Sequence, residues 1–310
     1  RRRHPPLALR GCGPVSVDRP AVEARNVHKA YGEDGVLDGI DLTVAENEVL
    51  LLMGPNGTGK TVLLSCLAGG TEPSEGSVSV FGTPVSEDGG RSLSLLLQGG
   101  ASVDTLSGRE TAAFYSRLHP EFTDRWRTYV DDLGIDGDLD KRIKYYSEGM
   151  KRKLELSLAL SVDAPLYLLD EPTAGVDLSM VQSFHRVIRD RVADGGTVVA
   201  TSHRPVDADL ADRVAFVNGG GVLAVDTPEA LLDGVPTVVR VVGQATAGDA
   251  LAPHVVGDPF YHGDERRGFL REHATLADIR EHAGDATVET VEPSYTDAFN
   301  YYVHAAADNE

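Results

Sequence analysis

A glycine-rich loop between an apolar run and a helical pattern constrains this chain more than any other feature. Residues 54–61 read Gly-Pro-Asn-Gly-Thr-Gly-Lys-Thr, preceded by the apolar run 48–53 and followed by a helical pattern over 61–68. Glycines let successive backbone N–H groups converge on phosphate oxygens, and a helix N-terminus adds favourable partial charge. Lys60 would reach the β- and γ-phosphates of a nucleotide, and Thr61 would ligate Mg²⁺. A plain glycine-rich turn is the weaker interpretation, so the loop predicts a phosphate site.

Strand and helix patterns alternate along the chain. Residues 36–44 alternate apolar and polar side chains as a half-buried strand does, whereas 166–169 and 197–200 are short apolar runs typical of buried parallel strands. Between these two runs, residues 178–192 place apolar side chains on one helical face. The stretch 106–160 has no convincing strand and favours several inserted helices. This order predicts an α/β fold around a parallel sheet.

Two adjacent carboxylates close the apolar run 166–169. Asp170 and Glu171 follow it directly, and acids at the carboxyl end of a parallel strand lie at the crevice where α/β proteins bind ligands. Asp170 would hold Mg²⁺, directly or through water, and Glu171 would orient or deprotonate an attacking water. Such a pair on its own more often marks a turn at a strand end. Downstream of a phosphate-binding loop, it predicts a hydrolytic site.

Four further positions have no specific meaning when taken singly. Ser147 stands in the string Tyr-Ser-Glu-Gly-Met at 146–150, before a helical pattern, and by itself predicts an N-cap. Gln98, His203 and Tyr31 are most simply a polar loop residue, a structural histidine and a core aromatic residue. Their order along the chain is what raises them to candidate site residues.

Taken together, these segments resemble the nucleotide-binding subunit of an ABC transporter, and the similarity covers about residues 21–235. Loop 54–61 resembles the Walker A loop, and 166–171 resembles the Walker B strand. The string at 146–150 resembles the family signature, and Ala-Gly-Val-Asp at 174–177 resembles the D-loop. Every landmark stands in the family order, which makes coincidence negligible.

The resemblance implies the architecture. We expect a P-loop NTPase core of RecA-like fold with a parallel sheet, an inserted helical subdomain, an antiparallel β part near the N-terminus and a small α+β C-terminal appendix. The expected segments are a disordered basic tail at 1–20, the nucleotide-binding domain at 21–235 with its helical subdomain at about 100–160, and an accessory domain at 236–310.

The C-terminal segment has its own pattern. Residues 237–242 and 286–291 have strand patterns, and 276–282 has a helical pattern, which together favour a small βαβ-like unit. Ser294 stands three residues before Asp297, a spacing that resembles a capping box and predicts the start of a last helix.

Carried over residue by residue, the resemblance implies a role for each matching position. Glu171 would activate water, His203 would sense or stabilise the γ-phosphate, and Gln98 would link Mg²⁺ to the helical subdomain. The implied Mg²⁺ ligands are Thr61, Gln98 and Asp170. The residues implied to bind ATP, some of them across the interface of two head-to-tail subunits, are Tyr31, Gly54, Pro55, Asn56, Gly57, Thr58, Gly59, Lys60, Thr61, Val62, Ser147, Gly149 and Asp177.

The sequence departs from the commonest family pattern in two places. Val62 replaces a frequent second hydroxyl after the loop, which puts one α-phosphate hydrogen bond in doubt. The signature string keeps Ser147 and Gly149, but it begins with tyrosine, has Glu148 in third place and ends in methionine, where Leu, Gly and Gln are commonest. This form, like the chain ending at 292–299, is similar to the drug- and polysaccharide-exporter branch.

The composition is strongly acidic. The chain has 48 Asp and Glu against 29 Lys and Arg, a net charge of −19, with 29 Asp and only 6 Lys. This balance is typical of a cytosolic protein of an extreme halophile, because molar salt shortens the Debye length to about 3 Å; an ordinary acidic protein is the alternative. The most apolar window, 154–169, contains Glu155 and Asp163, so no transmembrane segment is predicted.

We therefore expect an ATPase, using ATP and Mg²⁺, that powers an exporter through ATP-driven dimerisation and a separate multi-span membrane permease. It would lie at the cytoplasmic face of the membrane, as a homodimer or paired ATPase subunit, with no nucleic-acid partner. A soluble ABC ATPase acting on ribosomes or DNA, and a nucleotide-dependent binding module with little turnover, are the alternatives. Candidate groove residues for the permease, with subdomain core as the plain interpretation, are Phe114, Tyr115, Leu118 and Trp126.

Overall fold

The described part of the chain forms two compact units that divide between residues 222 and 223. The residues that the computed structural model describes are 19–98, 103–243, 251–263 and 265–305. Most of the expected tail at 1–20 therefore falls outside the described residues. The predicted domain limits at 20/21 and 235/236 remain predictions.

Strands and helices alternate along the described residues. The strands are β1 Val22–Tyr31, β2 Asp34–Val44, β3 Val49–Met53, β4 Glu75–Val80, β5 Thr83–Pro84, β6 Leu93–Leu96, β7 Leu166–Leu169, β8 Thr197–Ser202, β9 Arg213–Asn218, β10 Gly221–Asp226, β11 Val238–Val242, β12 Val255–His262, β13 Glu265–Leu270 and β14 Thr287–Val291. The α-helices are α1 Lys60–Leu67, α2 Val85–Asp88, α3 Gly108–Leu118, α4 Trp126–Asp132, α5 Glu148–Ala159, α6 Leu178–Ala193, α7 Pro228–Asp233, α8 Leu276–His282 and α9 Tyr295–Asn300. Shorter helical turns lie at Asp136–Asp138, Ile143–Tyr145, Pro205–Leu210, Ala252–His254 and Tyr301–Ala305. Among these described helices, none combines the length and the apolar character that crossing a membrane requires.

A six-stranded sheet has the order β10-β9-β3-β8-β7-β6, and its strands β3, β6, β7, β8 and β9 belong to the first unit. The pairings of β3 with β8 and β9, and of β7 with β6 and β8, are all parallel. Strands β3, β7 and β8 are buried along their whole length. Continuous apolar runs suit strands that are covered on both faces, and the predicted parallel sheet is confirmed.

A second sheet, in the order β2-β1-β4-β5, is built from the chain before the parallel strands and just after α1. Its pairings are antiparallel. Strand β2 alternates buried and exposed residues from Ile40 to Val44, as a strand with one solvated face does. The expected antiparallel part near the N-terminus is confirmed.

The chain between β6 and β7 contributes helices α3, α4 and α5 and no described strand, as its pattern predicts. The helices bury a common core that is separate from the sheet. Its fully or nearly fully buried side chains are Ala112, Trp126, Val130, Ile135, Leu139, Ile143, Tyr146, Leu154 and Leu158. This helical insertion follows β6, the strand that leads to Gln98, and ends just before β7, the strand that leads to Asp170.

The second unit corrects the predicted C-terminal pattern. Strands β11 and β14 are antiparallel neighbours, so the two predicted strands do not form a βαβ unit with each other. Strand β13 pairs antiparallel with the other side of β11, which makes β13 and β14 parallel, with α8 as the crossover between them. The pattern missed β12 and β13 because β12 contains a glycine and a proline and β13 begins with three charged residues.

The last helix begins where the sequence predicts. The Ser294 side chain accepts a hydrogen bond from the backbone N–H of Asp297, and the Asp297 carboxylate accepts one from the backbone N–H of Ser294 at 2.8 Å. Two of the N–H groups that a helix start leaves unpaired are thereby satisfied. The predicted capping box is confirmed.

The core of the helical insertion supports a stability prediction. Replacing the fully buried Ile143 by Ala should destabilise the insertion by roughly 2–5 kcal/mol, because the removed methyl groups leave a cavity. Trp126 is the single tryptophan of the chain and lies in the same core, so its fluorescence during thermal unfolding reports on this region. The matched control Leu118→Ala removes a side chain that is 57% exposed and should change stability by no more than about 0.5 kcal/mol. Equal unfolding midpoints for the two variants would contradict the assigned core.

Candidate functional site

The loop at 54–59 connects β3 to α1 at the carboxyl edge of the parallel sheet. The backbone N–H of Gly54 donates to the carbonyl oxygen of Ser202 at 3.2 Å, which ties the loop to the end of β8. A Cβ atom at Gly54 would lie 2.1 Å from the carbonyl oxygen of Val217, so only glycine fits there. The loop is therefore held against the ends of β8 and β9.

Gly59 sets the start of α1. It is the N-cap residue with φ of +97°, a left-handed conformation that costs glycine little and other residues more. A Cβ atom at Gly59 would also lie 2.8 Å from Leu37 Cδ2. No side chain caps α1, so the first N–H groups of the helix point into the loop, where an anion can accept their hydrogen bonds.

The Lys60 ammonium folds back over the loop. Its side chain is buried, and Nζ donates to the carbonyl oxygens of Gly54 at 2.8 Å and Pro55 at 2.7 Å. Burial lowers the pKa of Lys60, while the carboxylates of Glu171 and Asp170 oppose this shift. The cation therefore lies inside the loop, close to the carboxylates at the end of β7.

Asp170 joins the loop helix to two strands. Its carboxylate is fully buried and accepts hydrogen bonds from Thr61 Oγ1 at 3.0 and 3.2 Å and from Thr201 Oγ1 at 2.6 Å. The structure thus brings together two of the three residues expected to hold Mg²⁺. A hydroxyl and a carboxylate are hard oxygen donors of the kind that Mg²⁺ prefers. Among the described residues there is no cluster of three or more His, Cys, Asp or Glu side chains suited to a metal.

Glu171 lies between two other predicted residues. Gln98 Nε2 donates to Glu171 Oε2 at 3.1 Å, and His203 Nδ1 lies 3.0 Å from Glu171 Oε1. The Glu171 side chain is nearly buried, whereas the His203 side chain is 40% exposed. Both carboxylate oxygens are therefore oriented, and the three residues predicted to act in catalysis form one contact group.

Four predicted binding residues make no hydrogen bond to the phosphate loop in the described part of the chain. Within the described residues, no hydrogen bond connects Tyr31, Ser147, Gly149 or Asp177 to loop 54–61. Tyr31 is 53% exposed, with Lys29 Nζ 5.1 Å from its ring centre. Ser147 is exposed and caps α5, where it accepts from the backbone N–H of Met150 at 3.2 Å. Their roles in nucleotide binding remain predictions.

Sequence reasoning missed Arg152, Thr201 and a buried network next to them. Asp207 accepts hydrogen bonds from Thr173 at 2.7 Å and Ser202 at 2.5 Å, and its other oxygen lies 3.0 Å from His185 Nε2. Although burial opposes it, these hydrogen bonds lower the pKa of Asp207. Thr201 and Ser202 immediately precede His203, so the position of these two hydroxyl residues in the string Thr-Ser-His could have marked them as neighbours of the site. The contacts of Arg152 and Asp207 cross between segments, and no local pattern marks them.

The candidate groove residues divide into two kinds. Trp126 is 5% exposed and belongs to the core of the helical insertion, so the plain interpretation is confirmed for this residue and it is no longer a groove candidate. Tyr115 packs against the same core. Phe114 and Leu118 are 42% and 57% exposed, because α3 turns them away from that core. These two side chains remain candidates for a protein contact.

Comparison with known proteins identifies the family. The sequence matches the family described as ABC transporter over residues 37–174. The daunorubicin resistance ATP-binding protein DrrA3 of Streptomyces coeruleorubidus is 35% identical over 246 residues, which cover 75% of this chain and 78% of that protein. The Nod factor export ATP-binding protein I of Rhizobium meliloti is 32% identical over 233 residues, which cover 71% of this chain and 68% of the relative.

A solved ATP-binding subunit of an ABC transporter has the same fold. It superimposes with a TM-score of 0.63 at 21% identity, covering 69% of this chain and 92% of the solved chain. The loop, the acidic pair and the parallel sheet described above are thus parts of a known nucleotide-binding fold. The chain belongs to the ATP-hydrolysing, ATP-binding subunits of ABC transporters.

Proposed function

We propose that this chain hydrolyses ATP to drive an exporter whose channel is a separate membrane protein. The observation that carries the proposal is the Glu171 carboxylate, held by Gln98 and His203 beside the loop that contains Lys60. The names of these relatives, which describe daunorubicin resistance and Nod factor export, support export as the direction. ATP is the substrate of this site.

The loop residues would bind the triphosphate. The N–H groups at the start of α1 would donate to phosphate oxygens, and Lys60 would exchange the carbonyl oxygens of Gly54 and Pro55 for the β- and γ-phosphates. Thr61 and Asp170, already in contact, would hold Mg²⁺ together with Gln98. When bound, Mg²⁺ neutralises negative charge on the phosphates.

Glu171 would act as general base. A water molecule beside its carboxylate would attack the γ-phosphorus, the bond from this phosphorus to the β–γ bridging oxygen would break, and the water proton would pass to Glu171. His203 would hold Glu171 and contact the γ-phosphate from its exposed edge.

Two chains would complete each site. The exposed Ser147 and the partly buried Gly149 lie at the start of α5, and we infer that they contact the γ-phosphate of ATP held by a second subunit. Asp177 would lie at this interface, and the exposed Tyr31 ring would stack on adenine. ATP would join the subunits, because only the closed dimer satisfies all of its charges.

Removing the general base should trap this dimer. Glu171→Gln keeps the size of the side chain but cannot take the proton, so hydrolysis should fall by at least about 100-fold while ATP binding persists. Size-exclusion chromatography with light scattering should then detect an ATP-dependent species of twice the 33.1 kDa chain mass.

Glu121→Gln is the matched control, since Glu121 is exposed on the helical insertion. It should hydrolyse ATP at the parent rate and form no lasting dimer. Hydrolysis by Glu171→Gln at the parent rate would show that the general-base assignment is wrong.

We further propose that the chain lies at the cytoplasmic face of the membrane, with Phe114 and Leu118 against the membrane subunit. Exposed large apolar side chains that adjoin one another on a surface mark protein contacts more often than scattered ones do. The acidic composition fits a cytosol of molar salt, as in a halophile, which favours assays in molar KCl. No nucleic-acid partner is part of this proposal.

The docking surface can be tested by co-purification. The Glu171→Gln chain should recover a polytopic membrane protein from detergent-solubilised membranes in molar KCl with ATP. Adding Phe114→Asp and Leu118→Asp should reduce this recovery at least about tenfold, because charge replaces apolar contact area.

The control Tyr261→Asp changes a side chain that is 69% exposed in the second unit and should recover the membrane protein in full. Recovery of ribosomes or nucleic acid without any membrane protein would favour the alternative, a soluble ABC ATPase. Equal recovery by the docking variant and the control would exclude this surface.

A further inference from the structure

The guanidinium of Arg152 bridges two parts of the site that lie far apart in the chain. Arg152 is on α5, and its side chain is 7% exposed. One terminal nitrogen donates to the carbonyl oxygen of Leu97 at 3.0 Å, directly before Gln98. The other terminal nitrogen donates to the carbonyl oxygens of Asp170 and of Glu171, the latter at 2.8 Å. One side chain therefore connects the segment of Gln98 to the segment of Glu171.

The remaining contacts of Arg152 complete its hydrogen bonding. Nε donates to the carbonyl oxygen of Pro172 at 3.2 Å, and Glu155 Oε2 lies 3.3 Å from Nη1. The carboxylate of Glu155, one turn along α5, is 10% exposed and supplies a counter-charge. Burial lowers the pKa of Arg152, and Glu155 opposes this shift. A buried cation with five partners in the described residues is costly to remove, because its acceptors would then be left unpaired.

The segment that Arg152 contacts has a strained backbone. Glu171 has φ of +48°, a left-handed conformation that costs a residue with a side chain roughly 1–2 kcal/mol. The strained residue persists because its surroundings hold it: its N–H donates to Thr201 Oγ1 at 2.8 Å, and its carbonyl oxygen accepts from Arg152. This conformation directs the side chain of Glu171 towards Gln98 and His203 while successive carbonyl groups face α5.

We propose that Arg152 is a positioning residue that holds Glu171 and Gln98 in their working orientation and couples them to α5. The proposal rests on the proposed function, in which Glu171 is the general base. Ser147 caps the same helix and would contact the nucleotide of the second subunit. A shift of α5 upon closure of the dimer would therefore reach the general base of the same chain through one guanidinium.

The planar shape of the guanidinium is what this role requires. Arg presents five donors in a rigid fork, whereas Lys presents three donors from a single point charge. A lysine at position 152 could keep the positive charge near Glu155 but could not reach Leu97 and the 170–172 carbonyl groups at once. Arg152→Lys therefore separates the effect of the positive charge from the effect of the bridging hydrogen bonds.

The test compares Arg152→Met and Arg152→Lys with the parent chain. Steady-state hydrolysis should show kcat reduced at least about tenfold in both variants, with KM for ATP changed by no more than about threefold, because the phosphate loop is untouched. The Hill coefficient for ATP should fall towards one in both. Arg109→Met is the matched control, since Arg109 is 53% exposed and pairs only with Asp140 in the described residues, and it should keep the parent values.

A second readout does not depend on activity. Hydrogen–deuterium exchange of the peptide 168–176 in the nucleotide-free chain should accelerate at least about tenfold in Arg152→Met, because the strained turn loses a holding contact. Faster exchange in Arg152→Met, combined with a parent chain that hydrolyses no ATP, would contradict the proposed function and leave the bridging role of Arg152 intact. Parent-like exchange, or restoration of parent kcat by Arg152→Lys, would overturn the proposal. A loss of kcat that simply follows a lowered unfolding temperature would overturn it as well.

Discussion

The buried carboxylate of Asp170 is the interaction on which the arrangement of the site depends. It accepts hydrogen bonds from Thr61 on α1 and Thr201 on β8, and it lies at the end of β7. A buried charge costs several kcal/mol unless hydrogen bonds and an opposite charge compensate it. The two hydroxyl groups and the nearby Lys60 ammonium provide this compensation. The phosphate loop and two central strands are therefore held together by one side chain.

Glu171, the next residue, places the proposed general base beside this anchored carboxylate. Glu171 leaves the strand in a left-handed conformation, so its carboxylate turns towards Gln98 and His203 instead of into the sheet. The backbone cost of that turn is met by contacts from β8 and, in our proposal, from Arg152. Hydrolysis of a phosphoanhydride requires a general base held rigidly in place, because most of the catalysis comes from positioning and charge stabilisation.

How much the sequence predicts depends on whether the determinants are local. Loop 54–61 follows from a short string with few other uses, the acidic pair takes its meaning from its place downstream of that loop, and the parallel sheet follows from buried apolar runs. The acceptors of Arg152 are backbone carbonyl groups 18, 19, 20 and 55 residues away. Every residue has a backbone carbonyl group, so residue identity cannot show which of them accept a hydrogen bond.

Trp126 and the strands of the second unit illustrate two other limits. A helical pattern on α4 does not say which neighbour its apolar face contacts, so the sequence leaves both a groove and the subdomain core open for Trp126, and the structure places it in the core. Strand β13 begins Glu-Arg-Arg, and its charged side chains form ion pairs across the sheet, as Arg240 does with Glu265. Tertiary pairing thus overrides a local pattern that predicts no strand.

The position of the attacking water is the most direct test of the central claim. The parent chain is incubated with ATP, Mg²⁺ and molar KCl in ¹⁸O-labelled water, and the products are analysed by mass spectrometry. Attack at the γ-phosphorus beside Glu171 predicts one ¹⁸O atom in each inorganic phosphate and none in ADP. Label in the β-phosphate of ADP, or no release of phosphate, would contradict the account.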